Sequence, residues 1–276
     1  MKISIITPCY NAERYLDETV QSVLSQNAVK SGRVELDYWI IDGASTDGTQ
    51  ALIAKYKDCE VNIISERDAG MYDALAKGFK RVNGDIVAYL NAGDYYHPTA
   101  FDVIADIMSK PNVKWLTATN FIYNENSQIV EWVQPQRYKS NLIAQGAYGT
   151  VLPFIQQEST FWRRELLEIV NFENLAKLRY AGDFFLWHQF CKHAELDIVK
   201  AHISGFKVHE GQLSQIGGAY LAEMKLIAPA VSSWQLWLAA KFESIVQALP
   251  GRLRRLIGIE RIYEFNRRKK CWSIKL

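Results

Sequence analysis

The chain has 276 residues, of which 49% are hydrophobic and 22% charged, a balance that suits one large core or a core with a small appendage and excludes a disordered chain. A formal net charge of +2 lacks the electrostatic signature of a general nucleic-acid binder. Cys9, Cys59, Cys191 and Cys271 are far apart and form no C-x-x-C pair, so neither a zinc site nor a redox motif is indicated and a reducing compartment fits.

At the amino terminus one lysine precedes Ile3-Ser4-Ile5-Ile6, and Pro8 follows; this lacks the apolar length of a signal peptide. No run approaches the roughly 18 uninterrupted apolar residues that span a bilayer. Strands are predicted at 3–7, 37–42, 61–65, 85–90 and 114–119. Between them, Leu16, Val20, Val23 and Leu24 lie on one helical face, and Leu75, Phe79 and Val82 repeat the pattern. This βαβα order predicts a mostly parallel sheet with helices on both faces, its carboxyl strand ends gathered along one edge.

From 120 to 157 the periodicity weakens and long loops are expected. Helices are predicted at 163–170 and 183–193. Trp234, Leu238, Phe242, Ile245 and Leu249 then share helical spacing, and Pro250-Gly251 breaks the pattern. The segment 251–276 carries nine Lys or Arg against Glu260 and Glu264, with Arg252, Arg254 and Arg255 interleaved with Leu253, Leu256 and Ile257. It reads as a basic amphipathic helix, either lying on anionic lipid as a peripheral membrane anchor or packed on the main domain.

Several tracts carry chemistry. Thr7-Pro8-Cys9-Tyr10-Asn11 is a strand-to-helix turn with free backbone N–H groups, but it has neither a dinucleotide fingerprint nor a P-loop. Asp42-Gly43-Ala44-Ser45-Thr46-Asp47-Gly48-Thr49 ends the second strand, where Asp42 could accept from a base N–H or a ribose hydroxyl. Leu90-Asn91-Ala92-Gly93-Asp94 ends a buried strand with a hard oxygen ligand, suited to Mg²⁺ or Mn²⁺ on a diphosphate in the crevice at the sheet edge.

Together with Glu66-Arg67-Asp68-Ala69-Gly70-Met71-Tyr72-Asp73-Ala74, these tracts, in this order, resemble the inverting family 2 glycosyltransferases of the GT-A fold, from Ile3 to about Gln215. The resemblance implies a GT-A catalytic domain over 1–217, with a nucleotide-sugar half over 1–120 and an acceptor half over 121–217. A helical basic extension over 218–276 completes the expected α/β architecture.

By the same resemblance, Thr7, Pro8 and Asn11 line the nucleotide pocket, Asp42 faces the base, and Asp68 faces the nucleoside part of the donor. Asp94 takes the place of the last carboxylate in the family's Asp-x-Asp metal motif, whereas Asn91 and Gly93 depart from it and leave fewer anionic ligands. Asp183, after Tyr180-Ala181-Gly182, matches the catalytic base; read alone it is equally a helix cap. Gln157 and Glu158 border the acceptor pocket, and His209 reaches the diphosphate or the metal.

The implied reaction moves a sugar from a nucleotide-sugar donor, a UDP-sugar first, to a glycan or lipid-linked acceptor with inversion, with a divalent cation as cofactor. It belongs to cell-surface polysaccharide synthesis, in the cytoplasm or at the inner face of the membrane, with no nucleic-acid partner. Two alternatives stand beside it. A sugar nucleotidyltransferase would need a Gly-rich basic loop that 7–11 does not supply, and a silent sugar-nucleotide binding scaffold is encouraged by Asn91.

Overall fold

Strand β1 (Lys2–Cys9) is buried from Ile3 onward. Its alternation sends Ile3 and Ile5 to one face of a sheet and Ile6 to the other, and each face is covered by its own apolar cluster. The computed structural model describes residues 1–135, 137–208, 217–228, 233–249, 253 and 261–274. After β1 come α1 (Leu16–Leu24), α2 (Asn27–Lys30), β2 (Glu35–Asp42), α3 (Thr49–Ala54), β3 (Val61–Ser65), α4 (Met71–Phe79) and β4 (Ile86–Tyr89). Then follow β5 (Tyr95–Tyr96), α5 (Ala100–Met108), β6 (Trp115–Tyr123), β7 (Ile129–Val133), α6 (Ser140–Ala144), β8 (Phe161–Arg163), α7 (Phe172–Ala176) and α8 (Gly182–Phe190). The described residues end with β9 (Leu196–Lys207), α9 (Gly217–Ile227), α10 (Ser233–Ala248), β10 (Ile262–Asn266) and β11 (Cys271–Ile274).

The strands form one sheet in the order β11-β10-β9-β6-β8-β4-β1-β2-β3, with β5 on β9 and β7 on β6. β1, β2, β3 and β4 are parallel, as are β6, β9 and β10. The five strands expected from the sequence are all present. Their carboxyl ends collect on one edge, and that edge carries Asp42, Ser65 and the Asn91–Asp94 turn.

Three expectations are corrected. The segment 120–157 is not all loop: β6 runs on to Tyr123 and β7 returns antiparallel to it through a turn in which the Asn124 side chain accepts from Asn126 and Gln128 N–H. β7 leaves Ile129, Val130 and Trp132 exposed, so it has no buried face to imprint an alternation. The helix expected over 163–170 is a 3₁₀ helix over Arg164–Ile169 rather than an α-helix, and it directly follows β8, a strand antiparallel between β4 and β6 that the sequence pattern did not announce. Arg163 fixes that strand by donating to the carbonyls of Met108, Lys110 and Val113 at 2.6, 3.0 and 2.9 Å.

The third correction concerns the tail. α9 and α10 are helical, but Ile262–Ile274 is a β-hairpin, with β10 parallel to β9 and β11 antiparallel to β10. Arg261 explains the docking: its guanidinium grips the fully buried Asp197 of β9 with two bonds of 2.8 Å. A long-range ion pair of this kind leaves no local periodicity to read.

Candidate active site

On the β1–β2–β3 side, the loops after β1 and β2 hold one another. Asn11 has a positive φ of 48°; its N–H donates to Ser45 Oγ at 2.8 Å and its Oδ1 accepts from Thr46 N–H at 2.9 Å. Asp42 is 0% exposed and accepts from Ser45 Oγ (2.5 Å), Gln50 Nε2 (2.5 Å) and Ser65 Oγ (2.7 Å). The Asp42 carboxylate is thus closed inside the loop, and the surfaces it offers a ligand are those of the groups it holds. Thr7 also points inward, bonded to Tyr38 Oη at 2.9 Å, and Pro8 is buried in register with Ile41; both shape the edge through the backbone.

Asp68 lies over this loop. A Cβ at Gly43 would sit 2.7 Å from Asp68 Oδ2, so a larger residue there would push the Asp68 carboxylate aside. Asp68 accepts from Gly70 N–H at 2.9 Å, and burial raises its carboxyl above the ordinary range.

At the end of β4, Asn91 donates to Gln157 Oε1 at 3.1 Å, and Gln157 in turn donates to the Tyr89 carbonyl at 2.5 Å. The β4 turn is thereby tied to the segment that enters β8. Asp94 is buried; its Oδ1 accepts from Lys207 N–H at 3.2 Å and its carbonyl accepts from Thr19 Oγ1 at 2.7 Å. Burial, with the nearby Glu158 charge second, holds the Asp94 carboxyl well above the ordinary carboxylate range. Glu158 is equally buried, and its Oε1 has no hydrogen-bond partner. Burial and the neighbouring Asp183 push Glu158 up to about 7.

Asp183 heads α8, a helix buried on nearly every side and therefore apolar all round. Trp187 and Phe190 clamp it onto Trp115 and Trp162, with ring centroids 5.5–5.9 Å apart. At its start, Gly182 lies against the Tyr72 ring so closely that a Cβ would come within 2.3 Å. Asp183 Oδ1 accepts from Phe184 N–H at 2.7 Å and from Tyr220 Oη at 3.0 Å. Burial pushes the Asp183 carboxyl up to about 6, while these donors and Tyr72 hold it below what burial alone would give.

Two residues that the sequence reading did not single out complete this corner. Tyr220, on α9, supplies the hydroxyl on Asp183. Glu223, one turn later, accepts from the N–H groups of Arg179, Tyr180 and Ala181 at 2.9, 2.7 and 2.5 Å. The spacing of three on one helix is visible in the sequence; the loop it caps is not.

The structure therefore brings Asn91, Asp94, Gln157, Glu158 and Asp183 to one region of the sheet edge, with Asn11, Asp42 and Asp68 on the adjoining strand ends. His209 lies outside the described residues. Among the described residues no group of three His, Cys, Asp or Glu side chains converges as a metal cage. Hard oxygen donors are present nonetheless: Asn91 Oδ1 and Glu158 Oε1 are buried without partners near Asp94. Such a partial set suits a cation completed by substrate phosphates.

An open, mostly parallel sheet with acidic residues at its carboxyl edge is the setting in which α/β folds bind nucleotides, and the solved structures that superpose on it are GT-A glycosyltransferases. The profile of the family described as Glycosyl transferase family 2 matches residues 4–170, and the chain belongs to that family of glycosyltransferase enzymes. The UDP-Glc:alpha-D-GlcNAc-diphosphoundecaprenol beta-1,3-glucosyltransferase WfgD of Escherichia coli is 24% identical over 214 residues, which cover 77% of this chain and 78% of that one. S. aureus TarS 1–349 in complex with UDP-GlcNAc superposes with a TM-score of 0.57 at 18% identity, covering 93% of this chain and 84% of that one. The chain spans half of the longer TarS structure. Mannosyl-3-phosphoglycerate synthase from Rubrobacter xylanophilus gives a TM-score of 0.55 at 17% identity, over 82% and 73% of the two chains. These structures share the fold.

Proposed function

We propose that the protein transfers a sugar from a nucleotide-sugar donor, of which a UDP-sugar is the first choice, to a lipid-linked or polymer glycan with inversion. The observation that carries this reading is Asp183: a half-buried carboxylate raised to about 6, fixed by Tyr220 and the α8 N-terminus, beside Glu158 and the β4 turn. The names of the relatives support the acceptor and donor classes, since WfgD acts on a diphosphoundecaprenol-linked sugar and TarS was solved with UDP-GlcNAc.

In this mechanism the donor's nucleoside lies over the loops of Asn11, Asp42 and Asp68, and its diphosphate lies near Asp94. The acceptor hydroxyl attacks the anomeric carbon as the bond to the diphosphate breaks, Asp183 takes the hydroxyl proton, and the nucleoside diphosphate leaves. Asp94, with Asn91 Oδ1, would hold a Mg²⁺ or Mn²⁺ ion, which when bound neutralises charge building on the leaving diphosphate. Gln157 fixes the β4 turn, and Glu158 stands between the metal and acceptor sides. The reaction belongs at the inner face of the cell membrane, where a lipid-linked acceptor is held.

The test is single-turnover transfer by Asp183→Asn with saturating donor and a competent acceptor. The amide keeps the shape and can still accept from Tyr220, but it cannot take the proton. Transfer should fall by at least about 10² while donor affinity is kept; a rate near wild type would remove Asp183 and leave Glu158 as the next candidate.

A further inference from the structure

Helix α10 is apolar on two opposite sides. Leu236 and Val246 face the protein, whereas Trp234, Trp237, Leu238, Phe242 and Ile245 face outward, Trp234 being 63% and Ile245 62% exposed. At 3.6 residues per turn the outward group forms a stripe roughly 140° wide. A helix apolar all round is normally covered all round, so this stripe calls for a second covering surface.

Charge identifies the cover. The single carboxylate in the helix sequence, Glu243, is turned inward and paired with Lys139 at 2.5 Å and Arg137 at 3.8 Å. A cation lines the outside, where Lys241 sits over the Trp237 ring at 5.5 Å. The outward face is thus aromatic, aliphatic and cationic, and the chain continues beyond it into Arg252, Arg254 and Arg255. A second copy of this chain is a poor match, because a two-fold contact through the stripe would bring Lys241 close to its own counterpart. An anionic lipid surface matches both the rings and the charges. Among the described residues no helix is long and apolar enough to cross a membrane, so α10 would lie in the interface plane.

We propose that α10 docks flat on an anionic lipid surface through Trp234, Trp237, Leu238, Phe242 and Ile245. Its inner side holds Arg137 and Lys139, in the segment that leads to Gln157 and Glu158. The inference stands apart from the transfer chemistry, which the variant below leaves intact.

Full-length protein is tested by co-sedimentation with phosphatidylcholine vesicles, with and without phosphatidylglycerol, and by quenching of tryptophan fluorescence with brominated lipid. Binding to the phosphatidylglycerol vesicles with quenching is expected. A Trp237→Ser, Ile245→Glu double variant should lower the partition coefficient at least about tenfold with an unchanged melting curve and unchanged turnover on a soluble acceptor. Full binding by that variant would assign adsorption to the basic tail and overturn the proposal, as would a wild-type protein that ignores the anionic vesicles. A wild-type dimer that the variant dissociates would assign the stripe to a second copy.

Discussion

Glu158 and Asp183 show how burial prepares a carboxylate. Both are raised, to about 7 and about 6, but Asp183 has donors for its charge and Glu158 Oε1 has none. Because the folded-state value of Glu158 lies above its unfolded value, its contribution to stability is present in acid and is lost as pH rises toward and through 7. Glu158→Gln removes that loss. The variant should be more stable than wild type at pH 8 by on the order of 2 kcal/mol and nearly equal at pH 4, as denaturant titration at the two pH values would show.

Tyr220 acts in the opposite sense on Asp183. Its hydroxyl favours the ionised carboxylate, as does Tyr72, while Glu158 faces the same space as a competing acid. If Asp183 is the base, kcat falls as pH drops below about 6, and Tyr220→Phe should move that acid limb to higher pH with little change in donor affinity. A pH profile that does not move would reduce Tyr220 to packing on α9.

At the level of elements, the position of α8 rests on rings rather than on capping alone. Trp187 is fully enclosed between Trp115, Trp162 and Phe190, so Trp187→Ala should destabilise the protein by about 3–5 kcal/mol and disturb Asp183 before any other candidate residue. Calorimetry of the variant, with donor affinity measured below its melting point, separates the two effects.

The same level explains which elements the sequence displayed. β1, β2 and β4 lie inside the sheet and their apolar runs announce them, while β3, the parallel edge strand, is announced by the short β-branched run around Ile63 and Ile64. β8 is three residues long, β7 has no buried face, and β9 is interrupted by Lys200, His202 and Gly205; none presents a period. The Asp42, Asp68 and Asn91–Asp94 tracts were legible because each follows such a run directly. Tyr220 and Glu223 were not, because their partners lie 37 to 44 positions away.

For the whole molecule, the carboxyl-terminal hairpin changes what a truncation means. Removing 251–276 would strip β10 and β11 from the sheet and leave Asp197 buried without its cation, so it cannot serve as a clean test of lipid binding. Arg261→Ala makes the same point with one residue. It should cost about 3 kcal/mol, because breaking a buried pair leaves an uncompensated charge, and a shift in the urea midpoint would report it. A structure with bound nucleoside diphosphate should show the nucleotide at the edge formed by the ends of β1, β2, β3 and β4. A nucleotide at the opposite edge would remove the basis for the proposed transfer.

The sequence by itself determined the family, the βαβα frame and the acidic tracts, since strand-then-turn order and local residue spacing survive without knowledge of distant contacts. Only the tertiary structure decided that Asp42 is closed within its loop, that Asp94, Glu158 and Asp183 are electrostatic neighbours, and that α9 holds the proposed base. Each depends on groups brought together across the sheet edge, where burial and the geometry of a few long-range hydrogen bonds set the charge state that chemistry uses.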